Sequence, residues 1–138
     1  MSATADALAR VPLFKDLNRK SLARIERFAR ERHFEPGDTV FVEGDEGVGF
    51  FLITNGKVEA THAGTKLAEL GPDDFFGEMA LIDGNRRSAT VKAVEPTDCL
   101  ALMRADFIAE LRNNSDLALE MLQVMSSRIR ELDERISH

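Results

Sequence analysis

The spacing of apolar positions changes period twice along the chain. From Asn18 to Arg32, the residues Leu22, Ile25, Phe28 and Ala29 recur at spacings of three and four, which puts them on one helical face. Asn18 is suited to cap that helix, because its side-chain oxygen can accept a free N–H of the first turn. Ala3 to Arg10 precede it as a shorter helix that Pro12 breaks. After Arg32 the helical spacing disappears. Glu35-Pro36-Gly37-Asp38 has the residues of a tight turn. Thr39 to Glu43 reads as a short strand, Gly44 to Gly49 as a glycine-rich loop, and Phe50 to Thr54 as an apolar strand. Asn55-Gly56 predicts a hairpin into the alternating segment Lys57 to Thr61. Turns follow at Ala63-Gly64 and Gly71-Pro72-Asp73, then strands at Thr90 to Val94 and Asp98 to Met103 around Glu95-Pro96-Thr97. Short strands punctuated this often predict a compact all-β barrel or sandwich.

From Arg104 the helical period returns. Phe107, Ile108 and Leu111 belong to one helix, which Asn113-Asn114 interrupts, and Ser115 can cap another. In that last helix Leu122, Met125, Ile129, Leu132 and Ile136 form a narrow apolar seam of the kind that pairs with a second helix. The seam has two expected uses: packing on its own barrel, or pairing two subunits. The order is helices, β-barrel, helices, within one domain spanning 1–138: N-terminal helices 1–32, strands 33–103, and C-terminal helices 104–138.

Composition narrows the classes. The chain has 138 residues and a formal net charge of −6, so a general phosphate-driven DNA or RNA binder is not expected. Nine Phe with no Trp and no Tyr predict a core of rings without polar handles. The single Cys99 cannot form an internal disulfide and reads as a small buried hydrophobe, which fits a reducing, cytoplasmic setting. No apolar run approaches a membrane span, and the N-terminus does not resemble a signal peptide. His33, His62 and His138 are scattered and expected at the surface.

The candidate chemistry lies in Phe76–Ala93, FGEMALIDGNRRSATVKA. Gly77 permits a backbone turn or a close ligand approach that a Cβ would block. Glu78 to Ile82 can form a turn or two of helix, whose first N–H groups lack internal partners. Asp83-Gly84-Asn85 turns the chain back and returns Arg86 or Arg87 toward them, and a guanidinium beside free amides is a phosphate clamp. The carboxylate of Glu78 would repel a phosphate, but it can accept from a sugar hydroxyl or hold an arginine. A sugar phosphate or nucleotide satisfies all these features.

Phe76-Gly77-Glu78-Met79-Ala80-Leu81 followed by Arg87-Ser88-Ala89-Thr90 closely resembles the phosphate-binding cassette of cyclic nucleotide-binding domains. The Pro-Gly-Asp turn at 36–38, the Glu-Gly-Asp turn at 43–45, the Asn55-Gly56 hairpin and the flanking helices resemble the rest of that family. The resemblance implies an α+β, mainly β fold: an eight-stranded β-roll, jelly-roll-like, carrying a cassette over 76–90, with helices on both flanks. It implies a ligand, cyclic AMP favoured and cyclic GMP possible, contacted by Phe76, Gly77, Glu78, Met79, Ala80, Arg87, Ser88 and Ala89. In it Glu78 matches the acid that binds the ribose 2′-hydroxyl, the Ala80 position offers its N–H to the phosphate, and Arg87 pairs with the exocyclic oxygens. Ser88 and Ala89 line the phosphate and base. Arg86 stands where many members have Pro. The last helix is expected to close as a lid, with Leu132 and Asp133 as candidate contacts.

The expected role is a non-enzymatic sensor, with no catalytic residue, metal or cofactor beyond its ligand. It signals to an unidentified protein effector, with a possible homodimer through the last helix. The chain stops at His138, so no DNA-reading module is expected. Two other readings compete. One is a fold that has lost its ligand and serves as a protein-interaction module, with Glu78 and Arg87 as a structural ion pair. The other is a cupin-type metalloenzyme, against which the scattered histidines argue.

Overall fold

The run Gly49-Phe50-Phe51-Leu52-Ile53 is buried at every position, as expected of a strand covered on both faces. It belongs to a computed structural model that describes residues 3–45, 49–77, 80–84 and 87–137, with residues 3 and 135–137 described by backbone only. Two units divide the chain: residues 28–108, and residues 1–27 together with 109–138.

The first unit contains two antiparallel sheets. Its strands are β1 (Arg30–Phe34), β2 (Thr39–Phe41), β3 (Gly49–Asn55), β4 (Val58–His62), β5 (Thr65–Leu70), β6 (Phe75–Phe76), β7 (Thr90–Ala93) and β8 (Thr97–Met103). One sheet has the order β1-β8-β3-β6, the other β2-β7-β4-β5. Alternate residues of both sheets meet in one core: Phe34, Phe51, Ile53, Cys99 and Ala101 from the first, and Val58, Val91 and Ala93 from the second. Two four-stranded sheets with flanking helices match the mainly-β roll expected from the sequence. Cys99 is buried here, and burial pushes its thiol up to about 11, so it packs as a hydrophobe and is not a thiolate at neutral pH.

Two expectations need correction, and two strands went unpredicted. The helix expected to reach Arg32 ends as α2 (Arg19–Glu26), and Arg30–Phe34 instead form β1. The register Arg30↔Ala101 to Phe34↔Thr97 supplies ladder bonds and buries Phe34, which outweighs the helical preference of the Arg-Glu-Arg run. Asn55-Gly56 is not a hairpin, because β3 and β4 lie in different sheets. Only Gly56 has positive φ there, whereas a two-residue hairpin turn of the I′ type needs two such residues. That hairpin occurs at Ala63-Gly64, with φ of 50° and 82°, joining β4 to β5 in the register His62↔Thr65. Strands β5 and β6 escaped the residue pattern, β5 because its first five positions are exposed and β6 because it is two residues long.

His33 bridges β1 and β8. Its Nδ1 lies 2.7 Å from an Asp98 oxygen and its Nε2 2.8 Å from a Glu35 oxygen. Carboxylates only accept, so both ring nitrogens donate and the ring is imidazolium. These bonds, Asp98 first, raise its pKa above 6.5. The clip therefore stabilises the fold fully below that value and is lost as pH rises through the raised one. His33→Gln should lower the melting temperature more at about pH 6 than at about pH 9, and an NMR titration of the His33 ring should show its midpoint above 6.5.

The other unit contains α1 (Ala3–Leu8), α2 and the whole of α5 (Ser115–Ser137), while α4 (Arg104–Asn113) runs across the division and α3 (Ala80–Asp83) lies in the strand unit. Asn18 caps α2 as expected, accepting from the Ser21 N–H at 2.9 Å. At the start of α5 the cap is Asn114, whose side-chain oxygen accepts from the Leu117 N–H at 3.2 Å, and Ser115 is already helical. Leu117, Met121 and Val124 are the buried face of α5, whereas Leu119, Leu122, Ile129 and Leu132 are exposed. Glu120 meets the start of α2: it accepts from Asn18 Nδ2 at 2.9 Å, Asn18 N–H at 3.2 Å and Ser21 Oγ at 3.0 Å. A carboxylate at a helix N-terminus also opposes the positive end of the helix dipole. Glu120→Ala is expected to cost about 1–2 kcal/mol in urea unfolding, and Glu120→Gln less.

Candidate functional site

Arg87 is the buried cation of the strand unit, with 8% of its surface exposed. Local backbone bonds put it there. Its N–H donates to the Asp45 carbonyl at 2.7 Å, and its own carbonyl accepts from the Gly44 N–H at 2.8 Å. The Glu43-Gly44-Asp45 turn thus runs beside Arg87 and extends the β2–β7 pairing, in which Phe41 stands opposite Val91. Asp45 closes that turn by accepting from the Val42 N–H at 3.1 Å.

The guanidinium lies over the Phe41 ring, its central carbon 4.2 Å from the centroid. Its Nη2 donates to the Gly49 carbonyl. Its Nε is buried without a hydrogen-bond partner among the described residues. No carboxylate among the described residues pairs with it, and burial alone pulls its pKa below the ordinary arginine value. A buried cation held by a ring face and a carbonyl, with a donor to spare, is arranged to meet an anion.

Gly77 lets this happen. Its φ is +86°, and a Cβ there would lie 2.5 Å from the Gly49 oxygen and overlap the Arg87 guanidinium. The groups that approach this glycine closely are the Arg87 guanidinium and the Gly49 carbonyl. Phe76 stacks on Phe51 with centroids 5.4 Å apart and meets Phe41 edge-on at 5.3 Å. A chain of rings, Phe34–Phe51–Phe76–Phe41, therefore runs from the inter-sheet core to the floor under Arg87.

Of the remaining expected residues, Ala80 begins α3 and is buried, Ser88 is exposed and Ala89 half-buried. The helical turn expected over 78–82 is present as Ala80–Asp83. Glu78 and Met79 fall outside the described residues, as does Arg86. Leu132 and Asp133 are exposed positions of α5. Sequence reasoning missed Phe41 and the backbone partners Gly44, Asp45 and Gly49. The Glu-Gly-Asp turn was visible, but its adjacency to Arg87 depends on a pairing some forty residues apart. Among the described residues no group of three His, Cys, Asp or Glu is placed to hold a metal ion, and no helix is long and apolar enough to cross a membrane.

The family model for the cyclic nucleotide-binding domain matches residues 31–114, which run from the second residue of β1 through β8 and include Arg87. The chain belongs to the cyclic nucleotide-binding domain family. The domain is 37% identical over 127 residues to a Thermus thermophilus protein named cyclic AMP receptor protein, covering 88% of this chain and 59% of that one. It is 33% identical over 121 residues to a Drosophila melanogaster cGMP-dependent protein kinase, covering 82% of this chain and 13% of the kinase. The chain thus spans well under two-thirds of these relatives. In structure it is similar to the N-terminal domain of a transcriptional regulator from Streptomyces coelicolor, with a TM-score of 0.83 and 31% identity, covering 94% of this chain and 96% of that one.

Proposed function

We propose that the domain is a sensor that binds cyclic AMP, and cyclic GMP less tightly, through Arg87. The buried guanidinium with a spare donor supports this reading most directly. A cyclic phosphate brings a single negative charge and two exocyclic oxygens, and it would offset the desolvation that depresses the Arg87 pKa. Arg87 holds these oxygens, with the backbone N–H at Ala80 as a second donor. Glu78 takes the ribose 2′-hydroxyl, while Phe76, Gly77, Met79, Ser88 and Ala89 shape the remaining contacts. The relative named for cyclic AMP has a higher identity, 37%, than the one named for cyclic GMP, 33%, which favours the adenine nucleotide.

Signalling follows from differential affinity for two arrangements of the helices. In this reading α4 shifts against the cassette and α5 closes as a lid, with Leu132 and Asp133 as its contacts. The exposed stripe Leu122, Ile129 and Leu132 offers a second copy or a protein effector an apolar surface. The function is binding and carries no catalytic step.

Calorimetric titration with cyclic AMP and cyclic GMP side by side tests the proposal. Saturable heat from both, tighter for cyclic AMP, is expected. Glu78→Ala should weaken binding by less than a change at Arg87, and the loss should shrink for a 2′-deoxy nucleotide. Absence of binding by either nucleotide would overturn the reading and leave an interaction module.

A further inference from the structure

The β4–β5 hairpin reaches the Arg87 segment through two side chains. His62 Nδ1 lies 2.9 Å from Glu43 Oε2 and 3.1 Å from the Ser88 carbonyl oxygen. Both partners are acceptors, so Nδ1 carries the proton and is shared between them. The other Glu43 oxygen accepts from the Ala63 N–H at 3.0 Å, and the Glu43 N–H donates to Thr90 Oγ1 at 3.1 Å. Three segments therefore converge on two residues: the 43–45 turn, the 62–63 corner and the 87–90 strand entry. The first of these carries both backbone bonds of Arg87, and the third contains Ser88, the next residue along.

Backbone geometry gives a second, independent sign that this junction is specified. Ala63 has φ of 50°, a region that costs a residue with a Cβ about 1–2 kcal/mol. A glycine would fit there without strain. The Glu43 carboxylate binds the Ala63 N–H and so helps hold this residue in its unfavourable conformation, at the corner that aims His62 toward Ser88.

We propose that Glu43 and His62 form a strut that fixes the backbone on both sides of Arg87, and so are positioning residues for the anion site. The strut deepens the reading of Arg87 as the phosphate ligand and rests on it for its effect on affinity. Neither residue need touch the nucleotide. Without the strut the 43–45 turn and Ser88 lose their common anchor, and the guanidinium samples more positions over Phe41. A single shared hydrogen bond to a charged acceptor, partly exposed, corresponds to about a 3- to 10-fold change in affinity.

Side-chain stereochemistry makes the test specific. Asn places an N–H donor where His has Nδ1, whereas Gln places one nearer Nε2 and Ala removes it. Two measurements are made on wild type, His62→Asn, His62→Gln and His62→Ala: cyclic AMP affinity by calorimetry, and hydrogen exchange of the Arg87 and Gly44 amides in ligand-free protein by NMR. His62→Ala and His62→Gln should bind about 3- to 10-fold more weakly and exchange these two amides faster, with far-UV circular dichroism unchanged. His62→Asn should restore both readouts, and Glu43→Ala should mimic His62→Ala. Equal amide exchange in wild type and His62→Ala, or a failure of Asn to rescue, overturns the strut. If wild type binds neither cyclic nucleotide, the ligand reading falls, and the exchange measurement still decides the strut.

Discussion

Arg87→Ala is expected to weaken cyclic nucleotide binding by about 2–4 kcal/mol, roughly 30- to 1000-fold in dissociation constant. The size follows from burial. With 8% of its surface exposed, the guanidinium meets a phosphate away from most water, so removing it leaves a desolvated anion without its cation. The same change deletes a buried charge that burial disfavours, together with its contact on Phe41 and its bond to Gly49. The unliganded fold should therefore lose less stability than the complex loses affinity. Calorimetry for binding and urea unfolding for stability, done on one preparation, separate the two. Arg87→Lys is not a rescue, because an ammonium lacks the planar face that lies on the ring and the two-pronged donor set. Equal affinities in wild type and Arg87→Ala would remove the anion site from position 87.

Gly77→Ala is expected to act on stability and binding together. The methyl group would sit at φ of +86° and overlap both the Gly49 carbonyl and the Arg87 guanidinium. Backbone strain and the enforced shift are each worth about 1–2 kcal/mol, so unfolding free energy should fall by roughly 2–4 kcal/mol. Arg87 is the flexible member of the contact and gives way first, which should reduce nucleotide affinity at least about tenfold. An unchanged affinity in this variant would mean that the guanidinium can move without consequence, contrary to the geometry described. As a contrast, Gly64→Ala also meets a positive φ but has no atom within 4 Å of the added carbon, so it should cost strain alone and leave the Arg87 contacts in place.

Much of the fold was legible because its signals are local. The continuous apolar run of Phe50–Thr54, the turn chemistry of Glu35–Asp38 and the Asn18 cap all depend on neighbours in sequence. What escaped depends on partners far away. The segment Arg30–Phe34 is four-fifths charged or polar and has no strand period of its own, yet it pairs with β8 some sixty residues on. Asn55-Gly56 has the composition of a hairpin turn, but its strands go to opposite sheets. The turn that reverses the chain onto itself is Ala63-Gly64, whose alanine gives no hairpin signal. The site divides in the same way. Arg87 and Gly77 were visible in a short motif, while the Phe41 ring beneath the guanidinium and the carbonyl of Gly49 are brought in by tertiary pairing. The exposed side of α5 was anticipated as an apolar seam, and its buried side, Leu117, Met121 and Val124, forms a separate stripe one step around the helix.

The continuous stack of phenylalanines has a consequence for how this domain can change over time. Interior rings that keep the sheets together also bear the weight of the buried Arg87 guanidinium, the group proposed to receive the messenger. Trimming Phe51 would remove the ring on which Phe76 stacks and which Phe41 touches, and under the proposed function it would therefore also change the affinity for the messenger. On that reading, stability and ligand affinity would rest on the same few carbon atoms, and a substitution that alters one would alter the other.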